Sequence, residues 1–422
     1  MEIGIYGLGD MGKLYAKKFA AAGYGVNGCD LPEKRGQIEQ ELGGVDGINI
    51  LEDGIAVARR SDFNIYCVEA RNISDVVRAY GPSTRTGAIV AGATSVKEPE
   101  ILAFESYLPL DVHINTFHSL HGPSLGPEGQ TLALIRHRSS DDAYEKSHRI
   151  LAELGSNIVE ILETPQLHAY QHHDKITADT QAVTHLGFEA MGTAWKNAGF
   201  YPWENASYMG GIDNVKILTC LRIYAGKPHV YSGLAILNPF AREQIKQYAK
   251  SESELFKMMI QEDPGFRERI EKCGDCIFGK EDRQILLDDS IMGEYSLGIL
   301  RDRKQNSHLS LLAMADAWHE LRIDPYDNLI CQTPPFRLRL GIVEYLFRNR
   351  DLLEESIEAA LYDRAIRRDD LEFHTAVGEW ASIIGNRDES GYETQFNDTK
   401  AFFIDRLQEG MRKSSELIGR LS

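Results

Sequence analysis

No apolar run in this chain reaches the roughly 18 residues needed to cross a bilayer as a helix, so no membrane association is expected. It also lacks a Lys/Arg block of the kind that tracks phosphate backbones. Forty-six basic against 63 acidic residues leave a net charge of −17, and nucleic acid is not an expected partner. No charged-then-apolar leader pattern opens the sequence, which begins on a strand-like run, EIGIYG. Cysteine is scarce: the six, at 29, 67, 220, 273, 276 and 331, are scattered, which suits a reduced, cytoplasmic protein. Cys273 and Cys276 form one CxxC, but no second pair or nearby histidine completes four ligands. The pair is read as a loop turn, and no metal is expected.

What is present suits a large globular protein. A length of 422 residues implies two or three domains, and 43% hydrophobic residues can build sizeable cores. Short apolar runs at Ile3–Tyr6, Gly25–Cys29, Asn64–Val68, Ala88–Ala91, Ile114–Phe117, Leu132–Ile135 and Ile158–Ile161 alternate with helical patterns, the signature of parallel βαβ units. From Gln166 onward long helical patterns take over, at Gln166–Gly199, Asn214–Ala225, Pro239–Ile260, Ser307–Leu321 and Ser356–Ile384. The expected fold is therefore α/β plus all-α: a Rossmann-type dinucleotide-binding domain over residues 1–165, then a helical domain over 166–422.

The first turn announces the ligand. Gly7-Leu8-Gly9-Asp10-Met11-Gly12 follows a strand and enters a helical pattern. In that setting Gly7 serves the tight turn, Gly9 the approach of a pyrophosphate, and Gly12 helix–strand packing. The helix N-terminus offers N–H groups and partial positive charge to the phosphates. Asp30 closes the second strand, where an acid takes the ribose hydroxyls and favours NAD. Lys34 and Arg35 follow within one turn and could instead receive the 2′-phosphate of NADP. By itself the spacing leans to NAD.

Ligands of open α/β sheets bind at the carboxyl ends of the strands. There the sequence places Glu69, Ser95 and His118, the last in the stretch TFHSLHGPS. A histidine on that rim can take a hydroxyl proton while the carbon beneath loses hydride, and a serine can hold the oxygen. A base with an ordinary imidazole would lose activity below about pH 6.5. His121 need not share a face with His118 and has the weaker claim. In the helical half, Asp174, Ala178, Gln181 and His185 fall on one helix face, a polar line suited to the wall of a cleft. Arg222 sits in the apolar helical stretch NVKILTCLRIYAG, where an arginine implies a carboxylate partner, from protein or substrate.

These segments resemble the prephenate dehydrogenases of tyrosine biosynthesis, most closely the fungal branch. The resemblance runs through Gly7–Gly12, Ala93-Thr-Ser-Val-Lys97, His118-Ser-Leu-His-Gly122, HDKITADTQAVTH, Arg222-Ile223 with Pro228 and Tyr231 behind, YPW (201–203), HVYSGLAILNP, NSHLSLLA and DPYDNLICQTP. It covers nearly the whole chain. One departure is Ser119, where the family often has proline. The resemblance implies oxidative decarboxylation of prephenate to 4-hydroxyphenylpyruvate, with His118 as base and Ser95 orienting. It further implies Arg222 on a substrate carboxylate, His185 or Gln181 at the pyruvyl end, and a homodimer through the helical domain, with Tyr231 near the partner's site. It favours NADP over NAD, with Lys34 and Arg35 as phosphate ligands. Arogenate dehydrogenase, a β-hydroxyacid dehydrogenase (with Lys175 as its lysine) and a non-catalytic dinucleotide sensor remain as alternatives.

Overall fold

The computed structural model describes residues 1–123, 125–204, 211–280, 285–294, 305–327 and 329–420. Ser124 of the histidine stretch and Asn328 of DPYDNLICQTP lie outside them. The described chain divides into two compact units: Met1–Ile176 with Leu237–Pro239 and Ile330–Thr333, and Thr177–Ile236 with Phe240–Leu329 and Pro334–Ser422.

The first unit is built on one sheet. Its described strands are β1 (Glu2–Tyr6), β2 (Gly25–Cys29), β3 (Ile48–Ile50), β4 (Phe63–Tyr66), β5 (Ile89–Gly92), β6 (His113–Ser119), β7 (Thr131–Arg138) and β8 (Asn157–Ile161), in the order β3-β2-β1-β4-β5-β6-β7-β8. The helices are α1 (Asp10–Ala21), α2 (Arg35–Leu42), α3 (Gly54–Arg60), α4 (Ile73–Tyr80), α5 (Lys97–Tyr107) and α6 (Asp141–Ala152). The sheet core is Val/Ile-rich because parallel strands are covered on both faces: Ile3, Ile5, Val26, Ile65 and Ala91 are buried in it. Two sequence expectations need correction. β3, only three residues long, is too short for its apolar signal to register. β7 runs antiparallel to β6, because the chain returns through residues 120–130 without a crossover helix.

The second unit is helical. α7 (Ala169–Ala198) begins in the first unit, and the division falls inside it at Ile176/Thr177. The others are α8 (Gly211–Ala225), α9 (Pro228–Ser232), α10 (Ala241–Gln261), α11 (Gly265–Phe278), α12 (Asp289–Glu294), α13 (Leu309–Leu321), α14 (Pro334–Arg348), α15 (Arg350–Tyr362), α16 (Arg364–Gly385), α17 (Glu389–Phe402) and α18 (Leu407–Ile418). The single helix expected over Ser356–Ile384 is broken at Asp363, whose carboxylate caps α16 by accepting from Ala365 N and Ile366 N. Cys273 and Cys276 lie in α11, not in a loop turn. Phe266, Ile270, Cys273 and Ile277 make its buried stripe, and Cys276 is exposed.

Candidate active site

The strand order reverses between β1 and β4, so the crevice at their carboxyl ends is the topological switch point. The glycine turn sits there. Gly7 adopts φ +90°, and a Cβ on it would come within 2.6 Å of the Cys67 carbonyl oxygen at the end of β4. A Cβ on Gly12 would collide with the Gly7 carbonyl oxygen, whereas Gly9 has nothing within 4 Å. The turn is thus tight at both ends and open in the middle, and α1 starts at Gly9 without a side-chain cap. Those features fit a pyrophosphate on the helix N-terminus.

Asp30 is tied into this turn. One carboxylate oxygen accepts from Leu8 N at 2.6 Å, the other from Leu31 N at 2.7 Å, and Lys34 Nζ lies 3.8 Å from it. Arg35 pairs with Glu39 at the surface, and Glu69 with Arg71. The carboxylate that argued for NAD therefore also holds backbone and faces a lysine.

β1, β4, β5 and β6 are parallel, so their carboxyl ends share one edge. His118 lies there near the end of β6, 8% exposed. Its Nδ1 is 3.0 Å from His173 Nε2, and His173 Nδ1 is 2.9 Å from Asp174 Oδ1. The Asp174 carboxylate also accepts Lys97 N and Glu98 N, both at 2.8 Å, at the start of α5. An ionised carboxylate only accepts, so it takes the His173 Nδ1 proton. His173 Nε2 must then accept from His118 Nδ1–H, which leaves His118 Nε2 as the unprotonated nitrogen. The chain fixes His118 in the tautomer that a general base requires.

The charges agree with this arrangement. Burial, then His173 and the Lys97 ammonium, push His118 well below the usual imidazole range. Burial does the same to His173. The Asp174 carboxyl is pushed up to about 7 by burial, against the pull of its two backbone donors and Lys97. Lys97 is fully buried; its ammonium donates to Glu100 Oε1 at 2.9 Å and to the Phe117 carbonyl at 2.5 Å, fastening the β5–α5 turn to β6 beside His118.

Ser95 lies half-buried in that same turn. The structure gives His118 a different orienting partner, His173. Ser119 donates to or accepts from Tyr15 OH at 2.7 Å, fastening the end of β6 to α1 where the family's proline would stand. His121 is buried beside Gly122 O, and its Nε2 has no hydrogen-bond partner among the described residues.

In the second unit, His185 and Gln181 lie buried on α7, and the Tyr231 ring stands edge-on to His185 at 5.1 Å between centroids. Arg222, on α8, is not solvated as an open cleft would have it. It is half-buried and donates to Ser415 Oγ at 2.8 Å, to Ser414 Oγ at 3.3 Å and to Met411 Sδ at 3.4 Å, all on α18. Packing of α18 on α8 supplies these neutral acceptors; no carboxylate among the described residues pairs with Arg222. A second arginine escaped the sequence reading. Arg339 on α14 is 3% exposed, with its guanidinium 6.0 Å from the Phe188 ring centre.

Residues 182–422 match a family model described as a 6-phosphogluconate dehydrogenase C-terminal domain. The Saccharomyces cerevisiae protein named prephenate dehydrogenase [NADP(+)] is 46% identical, over 99% of this chain and 93% of that one. The chain belongs to the prephenate dehydrogenase family. A Schizosaccharomyces pombe family member, named probable prephenate dehydrogenase [NADP(+)], is 44% identical over 100% of this chain and 97% of its own. The crystal structure of Aquifex aeolicus prephenate dehydrogenase with hydroxyphenyl propionate and NAD+ shares the fold. It covers 64% of this chain and 95% of its own, at a TM-score of 0.50 and 16% identity.

Proposed function

We propose that this protein catalyses the oxidative decarboxylation of prephenate to 4-hydroxyphenylpyruvate, with NADP as hydride acceptor. The observation that carries the reading is the chain His118–His173–Asp174 on the same sheet edge as the glycine turn. Gly7 to Gly12 would hold the pyrophosphate, Asp30 and Glu69 the nearby ribose side, and Lys34 with Arg35 the 2′-phosphate. When bound, the nicotinamide takes the hydride from C4 of the substrate. His118 Nε2 takes the proton of the C4 hydroxyl as that carbon becomes a carbonyl, and Ser95 holds the oxygen. The carbonyl, conjugated to C1, then receives the electron pair of the C1–carboxylate bond as carbon dioxide leaves, and the oxygen is reprotonated to the phenol. Aromatisation makes the step irreversible.

Arg222 would neutralise one substrate carboxylate, and His185, Gln181 and Tyr231 would line the pyruvyl end. NADP is supported by the names of both fungal relatives, and by an Asp30 carboxylate already engaged by backbone and facing Lys34. In the same reading residues 1–165 are the dinucleotide domain and 166–422 the helical, dimer-forming domain of a cytoplasmic enzyme.

The test is stoichiometry. Incubated with prephenate and NADP, the protein should release one carbon dioxide per NADPH, faster than with arogenate or with NAD. Reduction without carbon dioxide would point to a β-hydroxyacid dehydrogenase, and NADP binding without any turnover to a sensor.

A further inference from the structure

Arg339 lies on α14 among Phe336, Leu338, Leu340 and Val343, all buried. Its one side-chain hydrogen bond among the described residues is long, Nη1 to Thr184 Oγ1 at 3.4 Å, and its Nε is buried with no acceptor. No carboxylate among the described residues comes within ion-pair distance of it. Burial lowers the guanidinium only to about 10, so it stays charged at neutral pH. A buried charge needs a compensating anion or fixed hydrogen bonds.

The chain's own acid does not supply one. Glu189 feels the Arg339 charge, but one of its oxygens accepts Tyr392 OH at 2.5 Å, and burial pushes its carboxyl up to about 8. It is largely protonated near pH 7. Arg222 adds a second positive charge that acts on Arg339. One turn before Thr184, Gln181 Nε2 is likewise buried without an acceptor. Among its described residues the second unit thus holds two guanidiniums and an amide with donors to spare, and no anion to meet them.

We propose that Arg339 is a second anion-binding residue, taking one carboxylate of a dicarboxylate substrate while Arg222 takes the other. The proposal rests on the prephenate reading, since prephenate carries two carboxylates, one on C1 and one on the pyruvyl arm. Arg339 Nε, inside the planar fork, completes a bidentate pair with a carboxylate, and Gln181 Nε2 donates to the same end of the ligand. Until substrate arrives, the buried charge costs the protein stability.

The experiment uses the full-length protein saturated with NADP, comparing wild type with Arg339→Met and Arg339→Lys. Steady-state rates and the thermal shift given by prephenate are read on each. Removing one partner of a desolvated pair should raise the prephenate KM of Arg339→Met at least about thirtyfold. Its NADP affinity should be unchanged, its ligand-free melting temperature no lower than wild type, and its prephenate shift lost. Arg339→Lys keeps the charge without the fork, so its KM should fall between the two. A wild-type KM with a depressed melting temperature in Arg339→Met would overturn the proposal, making the residue a structural one. Should the Met variant fail to fold, a wild-type KM in Arg339→Lys overturns it and an intermediate KM upholds it. A wild type that is stabilised by prephenate without turning it over would end the proposed activity alone, and Arg339 is then judged by the shift. A wild type that neither binds nor turns over prephenate ends both.

Discussion

The two units treat their polar side chains in opposite ways. In the first, each group of the His118–His173–Asp174 chain is matched donor to acceptor, and even Lys97 beneath it is enclosed by Glu100 and carbonyl oxygens. In the second, Arg222 meets two serine hydroxyls and a thioether, and Arg339 leaves its Nε unmatched. Proton transfer needs its groups oriented before substrate arrives, because reorganisation at that moment adds to the barrier. Binding an anion needs charge left uncompensated until the anion comes. The closed chain is therefore the chemical half of the machinery and the open cations the recognition half.

The largest effect should come from breaking the closed chain at its working end. His118→Asn removes the base, and the hydride-transfer rate should fall by roughly 10² to 10⁴. NADP binding, titrated by fluorescence, should survive because the glycine turn is untouched. A variant with wild-type turnover would deny His118 its role and leave the chain a structural network.

Next comes the open half. Arg222→Gln should raise the prephenate KM by about thirtyfold to a thousandfold, the loss of one desolvated charge pair. Its melting temperature should barely move, since the partners it loses are neutral and Ser414 and Ser415 can each satisfy themselves on the Met411 carbonyl. A large drop in melting temperature with an unchanged KM would place Arg222 in the core and erase the contrast between the units.

How much of this the sequence carries follows the same division. The glycine turn, Asp30 and His118 depend on local spacing along a strand and its turn, and local spacing is legible. The His173 contact joins residues 55 apart, from the end of β6 and the start of α7. The motif HHD names the residue but not what it touches. Arg222 stands out because an apolar stretch surrounds it. Its partners Ser414 and Ser415 do not, because serine on an amphipathic terminal helix resembles any solvated face. Arg339 is the clearest case. In PFRLRLG, Arg337 and Arg339 look equivalent, and only packing decides that Arg339 is the buried one. The break at Asp363 was legible in principle, since an Asp two residues before an Ala-Ile start is a capping signal, but the apolar periodicity runs across it.

The cofactor end gives a smaller effect. Replacing Lys34 and Arg35 by Ala should weaken NADP at least about tenfold, from the loss of charge-assisted hydrogen bonds, and NAD much less. Removing Lys34 also strips Asp30 of its 3.8 Å neighbour, which improves the site for ribose hydroxyls. A double variant that loses both cofactors equally would mean that the pair supports the turn rather than reading the phosphate, and a wild type that prefers NAD would mean that Asp30 governs.

The smallest effect is a displacement along the pH axis. His118 works as a base only while neutral, so kcat/KM, which reports the free enzyme, falls as pH drops through its folded-state pKa. Burial, His173 and Lys97 all lower that value, so the acid limb should lie below the ~6.5 of an exposed imidazole. At pH 6 the enzyme should keep most of its kcat/KM. The same shift has a stability consequence of definite sign. Below about 6.5 the unfolded chain takes up a proton that folded His118 refuses, so this group favours unfolding progressively as pH falls through that value. His118→Asn should therefore lose less stability than wild type between pH 6.5 and pH 5, a difference that melts at matched pH can read. An acid limb at pH 7 would instead assign the titration to Asp174, whose carboxyl sits at about 7. Protonation there would take the acceptor from His173 and release the tautomer of His118, so that the far end of the chain, not the base itself, would set the working pH.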